Sequence, residues 1–115
     1  MTTIKYTTYE ITAAGHSCYA APGGDIVCAA ISCAFKMAGG LLQKEKAKFK
    51  IETDPKIPFI GLKLEQGGAT LTAKNVIAVT AEVLKSLAAE NPKYLQVFRI
   101  MVVPQSKQPT MGLNG

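Results

Sequence analysis

The single histidine of the chain and one of its three cysteines have the spacing of a nucleophile and its base. His16 follows Gly15, and Cys28 lies twelve residues later, close to the start of an apolar stretch that predicts a helix. Unpaired N–H groups and the helix dipole favour a negative charge at a helix start, so a thiol there is stabilised as the thiolate. An adjacent imidazole would stabilise it further as a thiolate–imidazolium pair. His16 and Cys28 therefore predict a cysteine nucleophile with a histidine base.

The same residue types also allow a structural or a metal-binding interpretation. Cysteine in an apolar helix is most often a small buried side chain, and we assign Cys33 that role because it lies about 140° round the helix from Cys28. A zinc site would need His16, Cys18, Cys28 and Cys33 together. The chain has no C-x-x-C spacing, and the two helical cysteines would point apart, so we expect no metal. The role of Cys18 stays open.

The predicted elements place Cys28 beside a loop. Residues 15–24 are small, bounded by glycine and interrupted by a proline, which predicts a loop. Asp25 follows as a good N-cap, because its carboxylate can accept a hydrogen bond from an N–H two or three residues on. The helix that it opens is apolar almost all round, which predicts burial of most of its surface, and Gly39-Gly40 is the expected stop. Cys28 would then be the third helical residue.

The rest of the chain predicts strands and a second helix. Residues 3–14 favour strand, and their apolar register slips near Thr7-Thr8, which leaves a bulge or a tight hairpin open. Residues 47–53 and 59–65 alternate polar and apolar, as in an antiparallel pair with one face in water. A helix over 72–91 and an apolar strand over 95–103, placed in the centre of the sheet, complete the order.

This order of elements predicts an α+β, two-layer sandwich: a mostly antiparallel sheet with two helices packed on it. One domain is expected over residues 1–104, followed by a mobile polar tail over 105–115. The composition agrees with a globular domain, since 48% of the 115 residues are apolar and 18% are charged.

Composition also limits where the protein acts and with what. The start of the chain lacks the features of a signal peptide, and we expect no apolar run to approach the ~18–20 residues of a membrane span. We therefore expect a cytoplasmic protein with free thiols, no membrane contact and no cofactor. The net charge is +5, but the lysines are spread out. A solvated basic surface and a surface for an acidic or nucleic-acid-associated partner both fit, and charge alone does not decide between them.

One stretch of the chain resembles a known family. Gly15-His16, a short loop that ends in Gly23-Gly24, and the string DIVCAAIS from Asp25 onward resemble the signature of the Prp family, the ribosomal-processing cysteine proteases of Firmicutes and related bacteria. The resemblance implies a two-layer homodimer that removes an N-terminal extension from a large-subunit ribosomal protein. Phage-borne relatives imply an alternative, cleavage of the N-terminal segment of a capsid or scaffold protein. Direct contact with nucleic acid is not required in either case.

The resemblance also implies roles for single residues. His16 would be the general base and Cys28 the nucleophile of a Cys-His dyad. Asp25 would cap the helix and hold the loop, and Ser32, one turn beyond Cys28, would support the site by hydrogen bonding. Backbone N–H groups near Cys28 would form the oxyanion hole.

The substrate loop implied by the resemblance contains Gly15, Gly23 and Gly24, and the last two would let it open for a peptide. A rival hypothesis keeps the fold without the chemistry, as a protein-binding module for a ribosomal or capsid partner. The reactivity of Cys28 toward a thiol reagent would separate the two hypotheses.

Overall fold

Five strands and two helices form the protein in a computed structural model that describes residues 1–15, 22–65, 67 and 69–100. Their order is β1 (Thr2–Tyr6), β2 (Glu10–Ala14), α1 (Pro22–Lys44), β3 (Phe49–Thr53), β4 (Phe59–Leu64), α2 (Leu71–Glu90) and β5 (Leu95–Arg99). The sheet order is β3-β4-β2-β1-β5, with β1 and β5 parallel and the other pairs antiparallel. Both helices pack on this sheet, so the predicted α+β two-layer sandwich is confirmed. The predicted tail at 105–115 lies outside the described residues.

A hairpin joins β1 and β2, which decides between the bulge and the turn. Tyr6 pairs with Ile11, and the N–H of Thr7 donates to the carbonyl oxygen of Glu10 at 2.8 Å. The Thr7 hydroxyl accepts from the N–H groups of Tyr9 and Glu10 at 3.0 and 3.1 Å. The side chain of Thr7 thus satisfies the turn's backbone, a role that serine and threonine take in loops lacking glycine.

The first helix is longer than predicted at both ends. It begins at Pro22, where a fixed φ and a missing N–H suit the first turn, so the prediction of Asp25 as N-cap is wrong. It also runs through Gly39 and Gly40, so the predicted stop is wrong. Leu42, two residues further on, is fully buried, and its burial is worth about 1.5–3 kcal/mol. That gain offsets the cost of about 1 kcal/mol for each helical glycine.

Only one side of α1 reaches the core. That side consists of Val27, Ile31, Phe35, Ala38 and Leu42. The opposite side carries an exposed row, here called the α1 stripe, formed by Ile26, Cys33, Met37 and Leu41. Ile26 is 71% exposed and Met37 64% exposed. The prediction that α1 is buried on most of its surface is therefore wrong, because a helix in a two-layer fold has a second side that no layer covers.

By length and composition, one helix in the described part of the chain could cross a membrane. The segment is Ile26–Lys44, with a mean hydropathy of 1.6, and its existence contradicts the prediction that no run is long enough. The core helix of a soluble protein passes the same test, and this segment contains all five core side chains of α1. About a third of the segment is buried, and that part packs in one core with the sheet and α2.

The second helix and the last strand complete the layers. The Thr70 hydroxyl caps α2 by accepting from the N–H of Ala73 at 3.1 Å, and Asn91 ends the helix, as predicted. The last strand, β5, was predicted in the centre of the sheet, and that prediction is wrong. Within the described residues β5 is an edge strand that pairs with β1 alone, and its Phe98 is 47% exposed. A continuous apolar run indicates burial only where both faces of a strand are covered.

Candidate active site

A cavity of about 420 Å³ lies between the first half of α1 and one end of the sheet. It is lined by Thr2, Ala13, Gly15, Cys28, Ile31, Ser32, Thr53, Pro58, Phe59 and Ile60. Three of these residues, Gly15, Cys28 and Ser32, are candidates from the sequence, and the fold brings them to one concave surface. None of the described residues that line the cavity is charged.

Cys28 is partly buried in the wall of this cavity and carries a free thiol. Ser32 lies one helical turn further along the same wall and is exposed. Its hydroxyl makes no hydrogen bond with another described residue, so the supporting hydrogen bond implied by the resemblance stays a prediction. The accessible sulfur is the condition that nucleophilic chemistry requires, and the fold meets it.

The longer α1 changes the electrostatic argument for Cys28. Counting from Pro22, Cys28 is the seventh helical residue and Asp25 the fourth. The dipole effect falls off within the first turn, and only the first four N–H groups of a helix lack an intrahelical acceptor. The helix start therefore contributes little to a thiolate at Cys28, and the prediction that Cys28 lies in the first helical turn is wrong. The oxyanion hole from backbone N–H groups near Cys28 stays a prediction. The imidazole of His16 becomes the main candidate for stabilising the thiolate.

Two glycines of the predicted substrate loop lie in α1 instead. Gly23 and Gly24 are the second and third residues of α1. His16 and Cys18 lie outside the described residues, so the contact between His16 and Cys28 stays a prediction. The helix thus begins within residues 15–24, the segment that the sequence predicted as a loop.

Gly15 fixes the point where the chain leaves β2 toward His16. Its φ is +95°, its N–H donates to the carbonyl oxygen of Pro58 at 2.9 Å, and its own carbonyl oxygen accepts from the Thr2 hydroxyl at 3.2 Å. A Cβ added to Gly15 would lie 2.7 Å from the carbonyl oxygen of Met1. Gly15 is thus required by its backbone conformation and by a close neighbour, beyond any role in a loop.

We expect Gly15→Ala to lower the free energy of unfolding by about 2–3 kcal/mol, from the positive φ and the forced movement of the Met1 backbone. Gly67→Ala is a matched control, because Gly67 has a φ of +85° but nothing within 4 Å of an added Cβ. The Gly67→Ala protein should lose only about 1–2 kcal/mol of its free energy of unfolding, which is the cost of the positive φ alone. Urea denaturation measures both values. Equal losses would show that the contact with Met1 does not matter.

Other residues of the cavity carry no signal in the sequence. Ala13, Thr53 and Ile60 line it because β2 pairs with β4 and β4 with β3 in a particular register. Ala13 pairs with Ile60, and Ile60 with Thr53, so the three form one row across the sheet below α1. Residue spacing along the chain could not have found a row that crosses strands.

Solved structures share this fold. The essential ribosomal processing protease Prp of Staphylococcus aureus, in complex with a covalently linked product peptide, gives a TM-score of 0.75 at 16% identity, over 87% of this chain and 100% of that one. The same protein with a substrate peptide gives 0.75 at 15% identity, with the same coverage. A protein of Streptococcus mutans gives 0.71 at 16% identity, over 86% of this chain and 91% of that one.

Sequence comparison defines the class of protein. The Ribosomal processing cysteine protease Prp of Mycoplasma pneumoniae is 33% identical over 87 residues, which are 76% of this chain and 83% of that protein. The profile of a family described as Cysteine protease Prp matches residues 1–96. With a free cysteine in the wall of a cavity, the chain is a cysteine protease. It belongs to the Prp family.

Proposed function

We propose that this protease removes an N-terminal extension from a large-subunit ribosomal protein, with Cys28 as the nucleophile and His16 as the base. The observation that carries the proposal is the position of Cys28, with its thiol free, in the wall of a cavity whose described lining residues are uncharged and which is large enough for a few residues of a peptide. The ribosomal-processing name of the Mycoplasma pneumoniae relative supports the substrate class. Such a substrate places the enzyme in the cytoplasm, where ribosomes are assembled.

In the proposed reaction, the Cys28 thiolate attacks the carbonyl carbon of the scissile peptide bond and forms a tetrahedral oxyanion. Collapse of this intermediate breaks the C–N bond, and the His16 imidazolium gives its proton to the leaving amine. The thioester that remains on Cys28 is hydrolysed by a water whose proton His16 takes up. Hydrogen-bond donors beside the developing oxyanion would stabilise it.

The test is incubation of the purified chain with a synthetic peptide of the N-terminal 30 residues of the large-subunit ribosomal protein from the same genome. Mass spectrometry should show one cut, and iodoacetamide at pH 6 should block it by alkylating Cys28 faster than a model thiol. A capsid or scaffold N-terminal peptide cleaved in its place would support the phage alternative. No cleavage of either peptide, together with ordinary thiol reactivity, would leave only a binding module.

We also infer that the enzyme is a homodimer that buries the α1 stripe of each protomer against a second copy. A row of exposed apolar side chains along the 16 residues from Ile26 to Leu41 is larger than isolated surface residues explain, and such patches mark interaction sites. Burial of this row would remove the exposed sides of Ile26, Met37 and Leu41 from water.

The Met37→Glu protein should be monomeric by light scattering at concentrations where the wild type is dimeric, because the interface would bury an unpaired charge. Lys36→Glu is the control, since Lys36 is exposed beside the α1 stripe and outside it. A Met37→Glu protein that stays dimeric would place the interface elsewhere.

A further inference from the structure

The outer edge of β3 offers a row of backbone hydrogen-bonding groups. The N–H of Glu65 donates to the carbonyl oxygen of Lys48 at 2.9 Å, which fixes the register of the β3–β4 ladder. In an antiparallel pair, every second residue bonds to the partner strand and those between point the other way. Residues 50 and 52 therefore bond to β4, whereas Phe49, Ile51 and Thr53 direct their N–H and C=O groups outward. No described residue pairs with this edge.

The same three residues face the side of the sheet that carries the active site. Ile51 pairs with Leu62, which is buried under the helices, so both side chains lie on the helix side. Ile51 is nevertheless 58% exposed. At the end of the row, Thr53 lines the cavity that contains Cys28. The open edge and the cavity are therefore one continuous surface.

We propose that the peptide substrate binds as an added strand along the outer edge of β3. This inference rests on the proposed function and states how the substrate is held. The outward groups of Ile51 and Thr53 would bond to the peptide backbone, which is the way that extended peptides add to open sheet edges. Residues of the peptide opposite Ile51 would have their side chains on the α1 side, and the chain would lead past Thr53 to Cys28.

An extended peptide is the occupant that this surface fits, because the row of backbone groups ends at Thr53, which lines the same cavity as Cys28. Strand addition pairs the N–H and C=O groups of the peptide backbone with those of β3 and does not depend on the side chains of the peptide. It orders the peptide in the conformation that a cysteine nucleophile needs, with the scissile carbonyl presented at a fixed place. Selectivity would then come from the alternate side chains that face Ile51 and the cavity.

The variant that tests this is Ile51→Pro. Proline at position 51 removes an N–H that points outward, and proline is tolerated in edge strands where the N–H side faces solvent. Lys50→Arg is the matched control, because Lys50 is exposed on the other face of β3, its N–H bonds to β4, and the substitution keeps its charge. We expect kcat/KM for the ribosomal-protein peptide to fall about tenfold in Ile51→Pro, mainly through KM, and to stay within about twofold in Lys50→Arg. The rate of Cys28 alkylation by iodoacetamide should not change, since that small reagent needs no strand.

Several outcomes would overturn the inference. Equal kcat/KM in Ile51→Pro and wild type would show that the edge does not hold the substrate. Conversion of the dimer to a monomer in Ile51→Pro would show that a second copy occupies the edge. Should Ile51→Pro fail to fold, N-methylation of single amides in the peptide gives the same answer with the wild-type protein. A loss of kcat/KM when every second amide of the peptide is methylated supports an added strand. A loss without this alternation contradicts it.

Failure of the proposed function is distinguishable from failure of this inference. If the wild type does not cleave the peptide, fluorescence anisotropy of the labelled peptide with Cys28→Ala and with Cys28→Ala/Ile51→Pro measures strand addition without chemistry. Binding that Ile51→Pro weakens about tenfold supports the added strand even for a non-catalytic module. No binding to Cys28→Ala would overturn the added strand as well.

Discussion

Cys28→Ala should reduce cleavage of the ribosomal-protein peptide to the uncatalysed background, a loss of at least about 10³-fold in kcat. Without the sulfur no thioester forms, and the cavity retains only binding and positioning. The measurement is a time course of product by mass spectrometry, with the unfolding midpoint as a check on the fold. Cys28 is only partly buried, so the loss of its sulfur should change stability little.

Cys33→Ser is the matched control for this prediction. Cys33 lies on the same helix, five residues on, and is exposed in the α1 stripe away from the cavity. Its kcat/KM should stay within about twofold of the wild type. His16→Ala should lose about as much as Cys28→Ala, and the double variant no more than either, because residues that act as a unit are not additive. Full activity in Cys28→Ala, or loss only in Cys33→Ser, would contradict the assignment.

The second large effect concerns the core. Phe35→Ala should lower the free energy of unfolding by about 3–5 kcal/mol, because Phe35 is 2% exposed and close packing prevents the cavity from closing fully. A loss of this size would unfold a domain of ordinary stability in part at 37 °C. Urea denaturation followed by far-ultraviolet circular dichroism measures it.

Lys36→Ala is the control for the core prediction, since Lys36 is the next residue of α1 and is exposed. It should change the free energy of unfolding by no more than about 0.5 kcal/mol. Similar values for the two variants would mean that α1 does not pack on the sheet through Phe35. The two faces of this helix, one in the core and one open, would then need to be reassigned.

Element type and order could be predicted because their signals are local. Alternation identified β3 and β4, and helical spacing with Asn91-Pro92 identified α2. The ends of α1 could not be predicted in this way. The low helix propensity of glycine indicates a stop at Gly39-Gly40, but the burial of Leu42 outweighs it. The edge position of β5 could not be read either, since an apolar run does not reveal how many of its faces are covered.

The candidate site could likewise be predicted from the sequence only in part. Residue type and spacing pointed to Cys28 and to Gly15, and both line one cavity. The row Ala13, Ile60 and Thr53 was invisible, because it exists only through strand register. The prediction that Cys28 lies in the first helical turn is wrong for a local reason. The helix begins at Pro22, six residues before Cys28, so Cys28 lies beyond the turn in which the helix dipole acts.

The described residues that line the cavity around Cys28 are uncharged, which has a consequence for inhibitors. A charged warhead would lose its hydration on entering this cavity and gain no opposite charge from the described lining residues in return. Compact neutral electrophiles, such as nitriles or vinyl sulfones, avoid that loss and still place a reactive carbon beside the sulfur. Such a compound joined to a short extended backbone that reaches the β3 edge would combine covalent capture with sheet-like hydrogen bonding.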